Sequence, residues 1–136
     1  MPESARPRVV LLVDDDPMVR SVLRRWAKVA GVLAVVAADG HDALEAFAVQ
    51  PVIDAVITDV RMPGMDGPSL AASLRAQRPD LPLVFISGFT GLPENPDVPH
   101  RPRAAFVAKP FSFDALTSAL HAVLGDTPTA AAVAIS

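Results

Sequence analysis

The chain of 136 residues is long enough for one ordinary domain and too short for two well-formed ones. Hydrophobic residues make up 51% of it and charged residues 20%, so it can fill a core and is too apolar to remain disordered. The net charge of −3 makes nucleic acid an unfavoured direct partner, and the absence of cysteine excludes a disulfide framework, thiolate-bound zinc and a cysteine nucleophile.

Short apolar runs alternate with helical patterns along the chain, which predicts an α/β fold with a parallel sheet and helices on its faces. Most of the five strand candidates are apolar throughout, as strands covered on both faces should be. The predicted strands are Arg8 to Val13, Leu33 to Ala37, Ala55 to Thr58, Leu83 to Ser87 and Ala104 to Ala108.

Four helices are predicted between and after these strands. The first has a clear start, because Asp16 can cap it and Pro17 suits the first helical position, and Gly31 ends it. The others are expected at about 41–49, at about 68–77 and after Ser112. The apolar side chains expected to face the core are Val19, Val22, Leu23, Trp26, Val29, Leu44, Phe47, Leu70, Leu74, Phe113, Leu116, Leu120 and Leu124.

The segment between the fourth and fifth strands departs from this pattern. Residues 90–103 carry prolines at positions 93, 96, 99 and 102. Proline removes an amide donor and disfavours helical backbone in the residue before it. We therefore expect a helix to be missing or irregular here. The domain is predicted over 8–125, with flexible ends at 1–7 and 126–136.

Polar side chains stand at the ends of four predicted strands. Asp14 and Asp15 follow the first strand, Asp59 follows the third, Ser87 ends the fourth and Lys109 follows the fifth. In an open parallel sheet, ligands bind outside the carboxyl ends of the strands. We therefore expect these five side chains to converge at one edge and to form a site.

The residue types in this set favour phosphoryl transfer. Carboxylates about 4 Å apart repel by roughly 1 kcal/mol per pair even in water, so a cluster of them binds a proton or recruits a cation. Oxygen ligands without histidine or cysteine favour Mg²⁺ or Mn²⁺. An aspartate beside such an ion can attack phosphorus, while a lysine and a hydroxyl stabilise the transferred group.

Four motifs carry a family resemblance and occur together in one order. They are LLVDDDP at 11–17, TDVRMPGMDG at 58–67, FISG at 85–88 and AKPF at 108–111. Through them the chain, from about residue 8 to 124, resembles the receiver domain of two-component response regulators. The resemblance implies a flavodoxin-like, doubly wound, five-stranded parallel sheet of order 2-1-3-4-5 with helices on both faces.

The resemblance also implies roles for single residues. Asp59 would accept the phosphoryl group. Asp14 and Asp15, together with Asp59 and the backbone carbonyl of Arg61, would hold Mg²⁺, with Mn²⁺ as a second candidate. The protein would be a signalling module and not an enzyme, because it would assist only its own phosphorylation and dephosphorylation.

Further implied roles concern the phosphorylated state. The Ser87 hydroxyl would move toward the phosphoryl group, and Lys109 would pair with its oxygens. Phe106 would be the aromatic switch residue, working by burial because it lacks the hydroxyl of the common tyrosine. The bond between Lys109 and Pro110 would be cis.

The implied partners are a histidine kinase or histidine phosphotransfer protein and a downstream protein target, with the oligomeric state open. The longest apolar run, residues 29–38, has about half of the ~20 residues that a membrane helix needs, so a cytoplasmic protein without membrane contact is expected. The short flanks suggest a stand-alone receiver, although a receiver portion of a hybrid histidine kinase is an equal possibility.

Two other functions remain as alternatives. Asp14 to Asp16 fit the first motif of haloacid-dehalogenase-type phosphatases, but that assignment leaves Asp59 without a role and lacks a late acidic pair. A pseudo-receiver that binds partners without phosphorylation is disfavoured, because all five site positions carry suitable side chains.

Overall fold

The computed structural model describes residues 7–50, 52–88 and 103–125, and within them the five predicted strands form one sheet. The strands are β1 (Val9–Val13), β2 (Leu33–Ala37), β3 (Ala55–Asp59), β4 (Leu83–Ser87) and β5 (Ala104–Ala108). All neighbours pair in parallel, in the order β2-β1-β3-β4-β5. The predicted fold class and strand order are confirmed.

Four helices lie in the described ranges, and each begins at a residue whose side chain accepts a backbone N–H of the first turn. They are α1 (Pro17–Ala30), α2 (Gly40–Val49), α3 (Gly67–Gln77) and α4 (Phe113–Leu124), capped by Asp16, Asp39, Asp66 and Ser112. Such caps satisfy donors that have no partner inside the helix. The capping role predicted for Asp16 is confirmed.

The sheet separates two apolar layers. One layer packs α1 and α4 against one face of the sheet and contains Trp26, whose indole Nε1 donates to the Thr117 hydroxyl at 3.0 Å. The other packs α2 and α3 against the opposite face and contains Leu70 and Leu74, as predicted. Because strand side chains alternate, Leu11 and Leu12 enter different layers. The sheet is therefore covered on both sides, as its apolar strands predict.

The buried stripe of α1 is narrower than predicted, and two valines fall outside it. Val22 is 40% exposed and Val29 is 70% exposed. The buried residues of the helix are Leu23, Trp26 and Ala27. At about 100° per residue, the two valines lie roughly 90–110° from the centre of that arc. The prediction that they face the core is wrong, because a shared helical stripe does not fix which of its margins the sheet covers.

Smaller differences concern depth and bounds. Four of the side chains expected to face the core are only half-buried and pack at the margins of the two layers. They are Leu44, Phe47, Phe113 and Leu124. Strand β1 begins at Val9 instead of Arg8, and β3 includes Asp59, because Asp59 continues the pairing with Ile86. Helices α2 and α3 each begin one residue earlier than predicted.

Some expectations fall on parts of the chain that the structure does not describe. The irregular crossover predicted over 90–103 lies outside the described residues except for Arg103, which has φ +56°. The flexible ends predicted at 1–7 and 126–136 also lie outside them, apart from Pro7.

Candidate functional site

The carboxyl edge of the sheet brings the predicted acidic residues together. The strand register places the ends of β1 and β3 side by side, since Val13 pairs with Thr58. Asp14, Asp15 and Asp59 each offer a carboxylate oxygen, and these oxygens all lie within 4.8 Å of one another. The convergence expected from the strand ends is therefore present for the three carboxylates.

Asp14 is fully buried and is held from several directions. Its Oδ1 accepts from the backbone N–H of Asp16 at 2.9 Å, and its Oδ2 lies 3.4 Å from Lys109 Nζ. Its backbone carbonyl accepts from Arg20 Nη1 at 2.9 Å, while its backbone N–H donates to the Ala37 carbonyl at 3.3 Å. The first carboxylate is thus fixed by its own turn, by α1 and by β2.

Asp59 ends β3 and is only 7% exposed. Its Oδ2 lies 3.5 Å from the same Lys109 Nζ, and the backbone N–H of Arg61 donates to its carboxylate. One ammonium group therefore faces two buried carboxylates that belong to neighbouring strands. Asp15 completes the cluster from an exposed position.

The loop after Asp59 is packed tightly onto the strand end. Gly67 donates its backbone N–H to the Val60 carbonyl at 2.9 Å, and a Cβ built on Gly67 would collide with the Asp59 carbonyl oxygen. Gly67, the first residue of α3, is therefore required for this close approach. Gly64, earlier in the same loop, has φ +82°, a left-handed backbone conformation that glycine adopts without strain.

Lys109 reaches the site because β5 pairs with β4. Its backbone N–H donates to the Ser87 carbonyl at 2.8 Å, which sets it beside the end of β4. The Lys109–Pro110 peptide bond is cis, as the family resemblance implied. Ser87 is 5% exposed at the last position of β4. Both residues therefore stand at the same edge as the carboxylates.

Phe106 lies in β5, away from the carboxylates. It is half-buried, and its ring centroid lies 5.6 Å from that of Phe85 with the two rings tilted by 41°. Phe85 is buried in the core layer that contains α2 and α3. An aromatic contact thus links an intermediate position on β5 to the strand that carries Ser87.

Burial dominates the electrostatics of the two inner carboxylates. It raises the pKa of Asp14 above its usual value, while the Asp16 N–H and the Lys109 ammonium act in the opposite direction. Burial also raises the pKa of Asp59, and the negative charge of Asp14 raises it further. The site therefore carries an excess of negative charge that one lysine does not balance, and buried groups with shifted pKa values of this kind are common at functional sites.

Two contributors to the site were not predicted. One is Arg20 of α1, whose guanidinium donates to the Asp14 carbonyl. The available signal was its position in the first turn of a helix that begins two residues after the acidic pair. The other is Gly67, which packs against the Asp59 backbone.

Comparison with known proteins identifies the class to which this fold and site belong. The sequence model of the response regulator receiver domain matches residues 10–121, and the chain belongs to this family. Its fold and its acidic cluster are those of a receiver domain of two-component signalling. The phosphatase alternative is not favoured, because Asp59, to which it gives no role, lies within the cluster.

Two of the relatives that the chain matches are much longer proteins. It is 36% identical over 115 residues to the C4-dicarboxylate transport transcriptional regulatory protein DctD of Pseudomonas aeruginosa, covering 85% of this chain and 25% of that protein. It is 35% identical over 116 residues to the sensor kinase CckA of Brucella abortus, covering 85% of this chain and 12% of the kinase. The chain thus spans a quarter or less of these two relatives.

A solved structure supports the likeness. The response regulator protein TrrA of Thermotoga maritima, in complex with Mg²⁺-BeF, superposes with a TM-score of 0.76 at 26% identity, covering 85% of this chain and 98% of that one. In the described part of the present chain, no helix combines the length and apolarity needed to cross a membrane.

Proposed function

We propose that this receiver domain accepts a phosphoryl group on Asp59 from the phosphohistidine of a histidine kinase or phosphotransfer protein. The observation that carries the proposal is the buried carboxylate of Asp59, 3.5 Å from Lys109 Nζ and within 4.8 Å of two further carboxylates. A buried, negatively charged oxygen beside a fixed cation is suited to attack a phosphorus atom whose own oxygens need a positive partner.

We further propose that Asp14, Asp15 and Asp59, with the backbone carbonyl of Arg61, hold Mg²⁺, or Mn²⁺ in its place. The donor set fits, because three carboxylates within 4.8 Å supply hard oxygen ligands, and their mutual repulsion needs a cation. The relative TrrA, which was solved with Mg²⁺-BeF, supports this choice. When bound, the ion supplies positive charge that neutralises the carboxylates and the phosphoryl oxygens.

In this proposal, Asp59 and Lys109 have different roles in the transfer of the phosphoryl group. An Asp59 oxygen forms the new bond to phosphorus, the bond from phosphorus to the histidine nitrogen breaks, and that nitrogen keeps the electron pair. Lys109 holds its ammonium group where the phosphoryl oxygens arrive. Catalysis rests on positioning and charge, since the donor already carries a reactive bond. The domain acts once per phosphoryl group, as a signalling module rather than as an enzyme with a separate substrate.

The switch would follow from the same geometry. Ser87 lies at the end of β4, so its hydroxyl can donate to a phosphoryl oxygen on Asp59, the last residue of the adjacent strand β3. A movement of Ser87 would free space near Phe85 and Phe106, whose rings are in contact. Phe106 would then become more buried and change the surface offered to a downstream protein.

We also propose that the protein acts in the cytoplasm. The receiver domain itself would make no direct contact with nucleic acid or with a membrane. Both a receiver that acts by protein contacts and a receiver within a hybrid histidine kinase fit the comparisons, since DctD is a transcriptional regulator and CckA a sensor kinase. The predicted domain bounds of 8–125 enclose the 10–121 match in either case.

Intact-protein mass spectrometry after incubation with acetyl phosphate and Mg²⁺ tests the proposal. We expect one phosphoryl group per wild-type chain, none on Asp59→Asn, and one on the control Asp80→Asn, whose side chain is exposed and outside the cluster. Undiminished phosphorylation of Asp59→Asn would show that another residue is the acceptor. Release of many equivalents of product per chain from a phosphate ester would instead favour the phosphatase.

A further inference from the structure

An open apolar groove of about 460 Å³ adjoins the acidic cluster. The residues that line it are Met18, Val19 and Val22 of α1, Gly88 after β4, and Lys109, Pro110 and Phe111 after β5. Met18 is 76% exposed and Val22 is 40% exposed. Neither residue belongs to the two core layers, so their apolar surface has no role in the folding core. The groove is therefore an apolar surface beside a strongly polar site.

The groove is continuous with the site. Its walls come from the three chain segments that follow site residues: Met18 stands three positions after Asp15, Gly88 follows Ser87, and Lys109 belongs to both. Lys109 lines the groove while its ammonium lies 3.5 Å from Asp59 Oδ2. The Lys109 side chain thus extends from the groove to the carboxylate that is proposed to attack phosphorus.

Gly88 lies where the groove meets the site, because a Cβ at this position would lie 3.5 Å from Lys109 Cδ, an ordinary contact distance. Once Mg²⁺ neutralises the three carboxylates, as proposed above, a ligand that spans the junction would meet positive charge at one end and hydrocarbon at the other. Its complement is an amphiphile with an anionic phosphoryl head and a short apolar tail.

We propose that the groove binds the apolar acyl group of small acyl phosphates, so that propionyl and butyryl phosphate phosphorylate Asp59 faster than acetyl phosphate does. The inference rests on the proposed function, because it assigns a donor class to the same site. In the transfer, an Asp59 carboxylate oxygen bonds to phosphorus and the bond between phosphorus and the acyl oxygen breaks. The carboxylate of the donor acid leaves with the electron pair, and no proton is needed.

The size of the expected effect follows from burial. A fully buried methylene group favours binding by about fourfold, and an open groove buries each one in part. Butyryl phosphate carries two methylene groups more than acetyl phosphate. Both donors contain the same reactive bond, so a difference in rate reports the groove rather than the chemistry. We expect a second-order rate constant about tenfold higher for butyryl than for acetyl phosphate.

The experiment measures these rate constants for acetyl, propionyl and butyryl phosphate at one Mg²⁺ concentration, by intact-protein mass spectrometry. The variants are Met18→Ser and Val22→Ser, both at exposed positions, with urea unfolding to confirm that each is folded. The matched control is Val49→Ser, because Val49 is 78% exposed and does not line the groove. We expect the butyryl-to-acetyl ratio to fall to about twofold in the two groove variants and to stay near tenfold in the control.

Equal rates for the three donors with wild-type protein would overturn the inference and leave the groove to an apolar side chain of a protein donor. A ratio that survives in both groove variants would overturn it as well. These outcomes leave the proposed function intact, provided that acetyl phosphate still modifies wild-type protein and not Asp59→Asn. Failure of every donor to modify the wild-type chain would contradict both proposals.

Discussion

The centre of the sheet and its carboxyl edge are built from the same strands, but the side chains buried in the two regions have opposite effects on stability. Along β1, Val10 to Val13 are fully buried in apolar layers, and the next residue, Asp14, is equally buried but charged. Along β3, Ile57 is buried among hydrocarbon, and two positions later Asp59 faces other carboxylates. One or two residues along the chain therefore separate groups whose burial stabilises the fold from groups whose burial opposes it.

The apolar centre of the sheet stabilises the domain enough to tolerate the buried charges at its edge. Apolar burial at the centre supplies the free energy that keeps unfavourable charges in place at the edge. The cost at the edge is useful, because repelling carboxylates bind a cation and accept an electrophile more readily than solvated ones. Substitutions in the two regions should consequently change stability in opposite directions.

The largest expected effect is at the centre. Ile57→Ala should lower the free energy of unfolding by about 2–5 kcal/mol, because it removes buried methyl groups and leaves a cavity between the sheet and α1 and α4. Urea unfolding measures this loss. The control Val49→Ala removes exposed methyl groups and should change stability by less than about 0.5 kcal/mol. A similar cost for both variants would contradict the distinction between core and surface.

Addition of Mg²⁺ should remove the penalty at the edge. At a free Mg²⁺ concentration of 100 times the Kd, the wild-type domain should gain about 2.7 kcal/mol against unfolding, because the ion binds the folded cluster. A chelator should reverse the gain, and Asp14→Asn should lose most of it. KCl at matched ionic strength is the control for general screening. If KCl stabilises the domain as much as Mg²⁺ does, the cluster is not a specific cation site.

The loop between Asp59 and α3 can be tested at its glycines. Gly67→Ala should cost about 1–3 kcal/mol and slow phosphorylation, because the new methyl group must displace the backbone of Asp59. Gly64→Ala is the matched control: it should cost about 1 kcal/mol from its left-handed backbone, with no atom to collide with and the wild-type rate of phosphorylation. Equal rates in the two variants would show that the contact with Asp59 does not position it.

The smallest expected effect has the opposite sign. Asp14→Asn should raise the free energy of unfolding by about 1 kcal/mol at neutral pH without Mg²⁺, since it removes a like charge beside Asp59. Burial raises the pKa of Asp14 in the folded state, so the folded protein holds more protons than the unfolded one as pH rises through and above about 3.9. Wild-type stability therefore falls over that window.

The gain from Asp14→Asn should vanish when pH drops below the unfolded value, because both forms are then uncharged at this position. Denaturant midpoints measured between acidic and neutral pH check the sign. A variant that is less stable than wild type at neutral pH would mean that the bond to Lys109 outweighs burial.

The sequence was sufficient to predict the sheet and the carboxylate cluster for a common reason. Continuous apolar runs that stop abruptly at Asp14 and Asp59 identify buried parallel strands and their ends, and a parallel sheet gathers such ends at one edge. Strand order then fixes which residues are neighbours. The bounds moved by only one residue, as at Asp59, because pairing with β4 continues one step beyond the apolar run.

Features that depend on the third dimension were not predictable in the same way. The bond from Arg20 to the Asp14 carbonyl requires one particular side-chain conformation, which composition and periodicity do not encode. The exposure of Val22 and Val29 depends on how far the sheet wraps around α1. The contact between Gly67 and Asp59 depends on the path of the whole loop.

The central claim is that the buried carboxylate at the end of β3 carries the phosphoryl group. The most direct measurement is borohydride reduction of the phosphorylated domain followed by peptide mass spectrometry, since reduction of an aspartyl phosphate leaves homoserine at the modified position. We predict homoserine at position 59 alone, and none when the phosphodonor is omitted. Homoserine at position 14 or 15, or a phosphoryl group that resists both borohydride and hydroxylamine, would contradict the claim.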